Sequence, residues 1–406
     1  MPAATAYCLL MIIPLAHRAG QTQEYYFSVK LAEVRQLIAA GHDVINMGIG
    51  NPDMMPSAGT IETLSEAAQR PDAHGYQPYK GTPALRQAIA NFYAHTYGVS
   101  LNADTEILPL IGSKEGITHI SMTFLNEGDG VLVPELGYPA YRAVSKIVGA
   151  NVQEYPLQEN NGWQPDWEAM TDLVGQHKVK IMWLNYPHMP TGAPATPTLF
   201  ERAVRFAHDH RILLCHDNPY SLVLNKKPPV SLLSIDGAKD VALELNSMSK
   251  SHNMAGWRVG WLSAAKPYID AVLTIKSNVD SGMFRPLMDA ATVALHNSAA
   301  WHADRNEVYA GRLSAVYAFL DALGCTYATD QEGLFIWAKL PESVASAEEL
   351  VNRLLTENHV FIAPGFIFGP KGQRYVRVSL CVEEGRIRQA IQRLNKFEPH
   401  SGSAGF

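Results

Sequence analysis

From Val44 onward, short β-branched or apolar runs alternate with longer stretches whose apolar positions recur at helical spacing. That alternation is the sequence form of a mostly parallel sheet with helices on both faces. The runs Ile107 to Ile111, Gly130 to Val133, Asn151 to Tyr155, Lys180 to Asn185, Ile212 to His216 and Ala242 to Ser247 predict strands, each followed by Gly, Pro or Asn. Beyond Asp289 the rhythm changes. A helix-period segment from Met288 to Leu323 stops at Gly324, where a glycine past the helix end is expected. After it the pattern predicts a strand over Leu334 to Ala338, a helix from Ser346 to Asn358, a strand over Tyr375 to Leu380 and a last helix from Glu383 to Phe397. The expectation is an α/β fold. A large unit spans residues 46–288, a smaller α+β unit spans 289–406, and residues 1–45 pack on the smaller one. The tail from Glu398 is expected to be disordered.

A length of 406 residues with 47% hydrophobic and 18% charged positions fits two or three ordinary globular domains. Thirty-three Lys and Arg against 39 Asp and Glu leave a net charge of −6, which removes the electrostatic footprint of a nucleic-acid binder. The apolar stretch Ala6 to Ala16 is shorter than the ~20 residues that cross a bilayer, so no membrane partner is expected. No Lys or Arg precedes Arg18, so that stretch also lacks the basic region of a signal peptide, and Met1 and Met11 both read as starts. Cys8, Cys215, Cys325 and Cys381 lie far apart with no CxxC pair, which argues against a zinc ribbon or a redox dithiol and predicts a reducing, cytoplasmic setting.

The densest chemistry follows the strand Ala242 to Ser247, in Ser247-Met-Ser-Lys250-Ser-His-Asn-Met-Ala-Gly256-Trp-Arg258-Val-Gly260. A lysine at the end of a buried strand can lose its charge by desolvation and form a Schiff base. A second site-like segment is His216-Asp217-Asn218-Pro219-Tyr220, again at a strand end, with Asp217 placed 33 residues before Lys250. Gly112-Ser113-Lys114-Glu115-Gly116 follows another strand and opens a helix, so free backbone N–H groups and the positive helix end meet at one point, a cradle for phosphate.

On these segments the chain resembles the class I/II aminotransferases of fold type I, which use pyridoxal 5′-phosphate. The resemblance covers Tyr26 to Asn395. It implies that Lys250 binds the cofactor and serves as general base and acid, with Asp217 pairing with the pyridine nitrogen and Tyr220 reaching the phenolic oxygen O3′. It further implies that Ser113, Lys114, Ser247 and Arg258 hold the phosphate and that Tyr138, in Leu136-Gly-Tyr-Pro-Ala-Tyr141, stacks on the ring. Tyr76, in Gly75-Tyr-Gln-Pro-Tyr-Lys-Gly81, matches a tyrosine lent across a dimer interface, so a homodimer with shared sites is implied. Arg377, in Tyr375-Val-Arg-Val-Ser-Leu380, matches the arginine that grips the substrate carboxylate, a bidentate task suited to guanidinium. Gly50 matches a backbone donor beside it. The implied reaction moves an amino group between an L-amino acid and a 2-oxo acid.

One position departs from the family. Where its pattern reads Asn-Pro-Thr-Gly, this chain has Met189-Pro190-Thr191-Gly192, and a thioether cannot replace the amide that donates to O3′. Asn185 and His188 stand close enough in sequence to compensate, and Asn185 is taken as a substrate-side residue. A β-lyase of the same fold would use the same lysine, and a non-catalytic cofactor-binding regulator is the alternative from another class. His208, His210 and His216 show no metal-ligand spacing, and no metal is expected.

Overall fold

The computed structural model describes residues 13–20 and 26–394. The tail from Glu398 and most of Ala6 to Ala16 lie outside the described residues. Among the described residues a seven-stranded sheet runs in the order Ile107–Leu110, Gly260–Ala264, Ala242–Ser247, Leu213–Asn218, Val179–Leu184, Gly130–Pro134 and Asn151–Tyr155. All neighbours pair in parallel except Gly260–Ala264, which is antiparallel to both of its neighbours. The six expected strands are present to within two residues at their ends. Gly260–Ala264 is the addition: it returns directly from the lysine segment, and its glycine start hid it from the apolar pattern. Gly260 is required there, because a Cβ would lie 2.7 Å from the Ser113 backbone nitrogen and 2.8 Å from Asn246 O.

The parallel strands Val179–Leu184 and Leu213–Asn218 and the helix Pro197–His210 between them form a crossover unit. The helix is set by Thr196, whose side chain caps Leu199 N, and by Pro197 in its first turn. It ends at Arg211 in the left-handed conformation, and the chain re-enters the sheet at Leu213. Asp217 and Ser247 thus emerge at the carboxyl ends of adjacent parallel strands, where open α/β sheets bind ligands. Behind them the buried Glu244 accepts from Tyr93 Oη, Ser231 Oγ, Leu232 N and His216 Nδ1, each at 2.8 Å. A buried carboxylate with this many partners fixes the strands that carry the site.

The region after residue 289 differs from the pattern in a helix break and in the added short strands Thr326–Tyr327, Val360–Phe361 and Ala363–Pro364. The single helix expected over Met288 to Leu323 is two, Arg285–Ala294 and Ala299–Ala322. Ser298 breaks it by accepting from Trp301 N and capping the second helix. A chain division after residue 288 would cut the first of these helices, which packs on Ala58–Ala67 and Pro83–Tyr97. The second ends as expected before Gly324, at φ +69°. A four-stranded antiparallel sheet follows, ordered Thr326–Tyr327, Phe335–Lys339, Tyr375–Ser379 and Ala363–Pro364. The helix Tyr26–Ala39 lies against this part: Lys30 Nζ donates to Asn352 Oδ1 at 2.8 Å and the Tyr26 ring meets Phe366 edge-on. Ile45–Asn46 then pairs in parallel with Val360–Phe361. Among the described residues no helix is long and apolar enough to cross a membrane.

Candidate active site

A cavity of about 380 Å³ opens at the carboxyl ends of the parallel strands. Ser113, Lys114, Tyr138, Asn185, Asp217, Tyr220, Ser247, Lys250, Arg258, Arg377 and Gly50 all line it. Of the site residues expected from the sequence, only Tyr76 lies elsewhere, 93% exposed on the surface. Lys250 sits in the short helix Met248–Ser251, which Ser247 caps by accepting from Ser249 N. Its Nζ donates to Gly50 O. Burial, reinforced by the nearby charges of Arg377 and Arg258, lowers its pKa to about 8.

Asp217 is buried across the same cavity. Tyr141 Oη donates to its Oδ2 at 2.8 Å, whereas Oδ1 is buried with no hydrogen-bond partner among the described residues. Burial raises its pKa to about 6 against the opposing effect of the Tyr141 hydrogen bond. An orphaned, buried carboxylate oxygen is the feature a protonated ring nitrogen would satisfy. At the other end, Gly112 stands at φ +84° before the helix Ser113–Phe124, and a Cβ on it would lie 2.1 Å from Arg258 Nη2. The guanidinium therefore lies over a bare helix N-terminus. Arg258 also donates to Ser249 Oγ at 3.3 Å, and Ser249 meets Ser247 Oγ at 2.9 Å. Two serines, an arginine and a helix start form a phosphate-sized cradle, and with the unpartnered Asp217 oxygen these residues fit pyridoxal phosphate.

The third corner is built by the strap Met47 to Gly50. Arg377 Nη2 donates to Gly48 O at 2.9 Å, and Gly50 O receives Lys250. A Cβ on Gly50 would lie 2.1 Å from the Phe335 ring, so glycine alone lets the strap lie this close. The Arg377 guanidinium lies 3.8 Å from the centroid of Phe335 and 4.5 Å from that of Phe368, which fixes its plane.

Three residues that the sequence reading left without a role belong to the site. Tyr141 orients Asp217, and Ser249 joins Ser247 to Arg258. Both stand inside the quoted motifs, and a tyrosine hydroxyl destined for burial needs a partner, which is the signal that was available. The third is Met189. Its Sδ lies 3.2 Å from Arg377 Nη1, so the thioether faces the Arg377 guanidinium. The two suggested substitutes for the missing amide are committed to the protein. Asn185 donates to Asp217 O at 2.7 Å and accepts from Met189 N at 3.0 Å. His188 is bonded to Thr191 Oγ1 at 2.7 Å and to Leu136 O at 3.2 Å, and burial lowers its pKa to about 3. The three histidines disperse: His216 bonds Glu244 and Tyr186 O, and His208 bonds Gly237 O.

Comparison with known proteins agrees with this chemistry. Residues 42–394 match the family described as aminotransferase class I and II. An LL-diaminopimelate aminotransferase of Dehalococcoides mccartyi is 39% identical over 391 residues, covering 95% of this chain and all of that protein. Another from Oleidesulfovibrio alaskensis is 38% identical over 383 residues, 94% of this chain and 98% of that one. Among solved structures, substrate-bound BacF from Bacillus subtilis superposes with a TM-score of 0.91 at 34% identity, covering 95% of this chain and 98% of that one. A family match over most of the chain, on a site whose lysine, carboxylate and phosphate cradle fit the cofactor, makes this chain a member of the class I and II aminotransferases, a pyridoxal-phosphate-dependent transaminase.

Proposed function

We propose that Lys250, Asp217 and Arg377 carry the transamination and that the amino donor is an amino acid of the diaminopimelate type. The observation that carries the reading is the convergence on one cavity of a lysine with lowered pKa, a carboxylate with an unpartnered oxygen and a buried arginine. Bound pyridoxal phosphate supplies an aldehyde for the donor's amino group and a ring that withdraws electrons from Cα. With its pKa lowered by burial, Lys250 Nζ would hold the cofactor and serve as the general base and acid that moves the donor's Cα proton. Asp217, aimed by the Tyr141 hydrogen bond, would pair with the ring nitrogen and keep it protonated. Ser113, Lys114, Ser247, Ser249 and Arg258 hold the phosphate. Tyr138 and Tyr220 line the cavity where they would flank the ring and donate to its O3′. Arg377 holds the donor's α-carboxylate beside the Gly48 to Gly50 strap, and Asn185 braces the wall behind Asp217.

The names of the two bacterial relatives support the donor class. The test is a half-reaction screen in which the loaded enzyme meets one amino donor at a time and the cofactor's absorbance reports conversion to its amine form. LL-diaminopimelate should convert it at low concentration. Conversion by other amino acids with LL-diaminopimelate inert would overturn the donor assignment.

A homodimer with shared sites, working in the cytoplasm, completes the proposal. Tyr76 is nearly fully exposed, and Met55, Val279 and Phe284 are also exposed. Apolar side chains left in water are what a partner surface would cover. Cys215, Cys325 and Cys381 are buried free thiols, which suits a reducing compartment. Mixing inactive Lys250→Ala chains with impaired Tyr76→Phe chains should restore activity above the sum of the two, because one mixed site keeps both groups. Absence of rescue in mixed dimers would place Tyr76 outside the partner's site.

A further inference from the structure

We infer that Arg305 and Asn306 are positioning residues for Tyr220, clamping the loop that carries it in a backbone conformation its own side chains oppose. The inference rests on the assignment of Tyr220 to the cofactor's O3′. Two residues beyond Tyr220, Leu222 has φ +73°, and Leu224 has φ +52°. Leucine is disfavoured in the left-handed region, and such residues persist only where their surroundings over-determine them.

The surroundings here come from one helix, Ala299–Ala322. Leu222 O accepts from Arg305 Nη2 and, at 3.1 Å, from Asn306 Nδ2. Leu224 N donates to Asn306 Oδ1 at 3.4 Å, and Arg305 Nη2 reaches the same oxygen at 3.1 Å. Both strained leucines are therefore held by adjacent side chains. The loop's other face is tied by Gly333 N donating to Val223 O at 2.9 Å, and the Tyr220 ring rests edge-on against Phe335.

Arg305 is an expensive way to hold a carbonyl. It is 3% exposed, its Nε and Nη1 have no hydrogen-bond partner among the described residues, and its guanidinium faces the Trp301 ring at 5.6 Å rather than a carboxylate. Burial lowers its pKa to about 10. A buried cation without a counter-ion destabilises a fold, and an apolar side chain of similar length would serve packing better. What that side chain could not do is hold Leu222 O. The guanidinium is thus explained by the loop it fixes, and the loop matters because Tyr220 is on it.

The test uses the loaded enzyme and the pH midpoint of the bound cofactor's visible absorbance. A donor to O3′ stabilises the deprotonated state of the coupled proton site, so weakening it raises the midpoint. Tyr220→Phe sets the scale, and Asn306→Ala, milder than any change at buried Arg305, should raise the midpoint in the same direction by about one pH unit. Adding Asn306→Ala to Tyr220→Phe should produce no further rise, since both act through one hydroxyl. Leu222→Gly, which adopts positive φ without strain, should return the Asn306→Ala midpoint toward the wild-type value. A lowered melting temperature with an unmoved midpoint would make Asn306 merely structural and overturn the inference. If Tyr220→Phe itself leaves the midpoint unchanged, the assignment of Tyr220 fails and the inference falls with it.

Discussion

Asp217→Asn should lower kcat/KM for every amino donor by roughly two to four orders of magnitude while leaving the fold intact. The asparagine keeps the shape of the side chain and a partner for Tyr141 but loses the charge that faces the ring nitrogen. Removing one partner of a buried charge pair costs about 3–5 kcal/mol, and each 1.36 kcal/mol is a factor of ten. The same substitution has a signature in the cofactor-free protein. Burial holds Asp217 near pKa 6 in the fold, above the ordinary carboxylate value of 3.8. The folded state therefore binds more protons than the unfolded chain between those values, and stability falls as pH rises from about 4 to about 6 and is flat above. Two pKa units correspond to roughly 3 kcal/mol at neutral pH. Cofactor-free Asp217→Asn should lack this slope and be the more stable protein at pH 7, and cofactor loading should stabilise the wild type more than the variant. Denaturant titrations at pH 4 and pH 7, with and without cofactor, check both statements. A variant with near-wild-type kcat/KM would remove Asp217 from the mechanism.

Arg377→Ala should cost a similar factor, and the loss should follow the carboxylate. Its Nη2 is anchored on Gly48 O and its guanidinium lies against the Phe335 and Phe368 rings, so the fork is set before substrate arrives. Two charge-assisted hydrogen bonds at about 1.5–3 kcal/mol each give a loss of roughly 10²–10⁴ in kcat/KM for amino acids and 2-oxo acids. Amines lacking the carboxylate should react with the variant about as slowly as with the wild type. Arg377→Lys should not restore the loss, because a single ammonium cannot make the paired contact. A variant that loses one donor and keeps the rest would make Arg377 a side-chain specificity residue.

The elements that line the cavity were legible because their signals are local. Lys250 follows a buried strand inside a dense motif, Asp217 ends another, and the glycine before Ser113 opens a helix; each statement needs only a short window of sequence. What escaped depends on contacts between distant segments. Met189 and Arg377 are 188 positions apart, and no local pattern says that the thioether will face the guanidinium rather than the cofactor. Asn185 and His188 were near enough in sequence to stand in for the absent amide, yet their hydrogen bonds go to Asp217 O, Met189 N, Thr191 and Leu136 O. The helix break at Ser298 was local but masked, since apolar spacing continues through it and only the cap decides. The Arg305 clamp was invisible for a further reason: the φ of Leu222 and Leu224 runs against leucine's own preference, so it can be known only from the fold that imposes it.

The central claim is that Lys250 is the residue to which pyridoxal phosphate attaches. Borohydride reduction of the loaded protein followed by proteolysis and mass mapping tests it most directly. A pyridoxyl group on the peptide containing Lys250, and its disappearance in Lys250→Ala, is the predicted result. Label on Lys114, on the buried Lys276 or on any other lysine, or no stable label at all, would contradict the account.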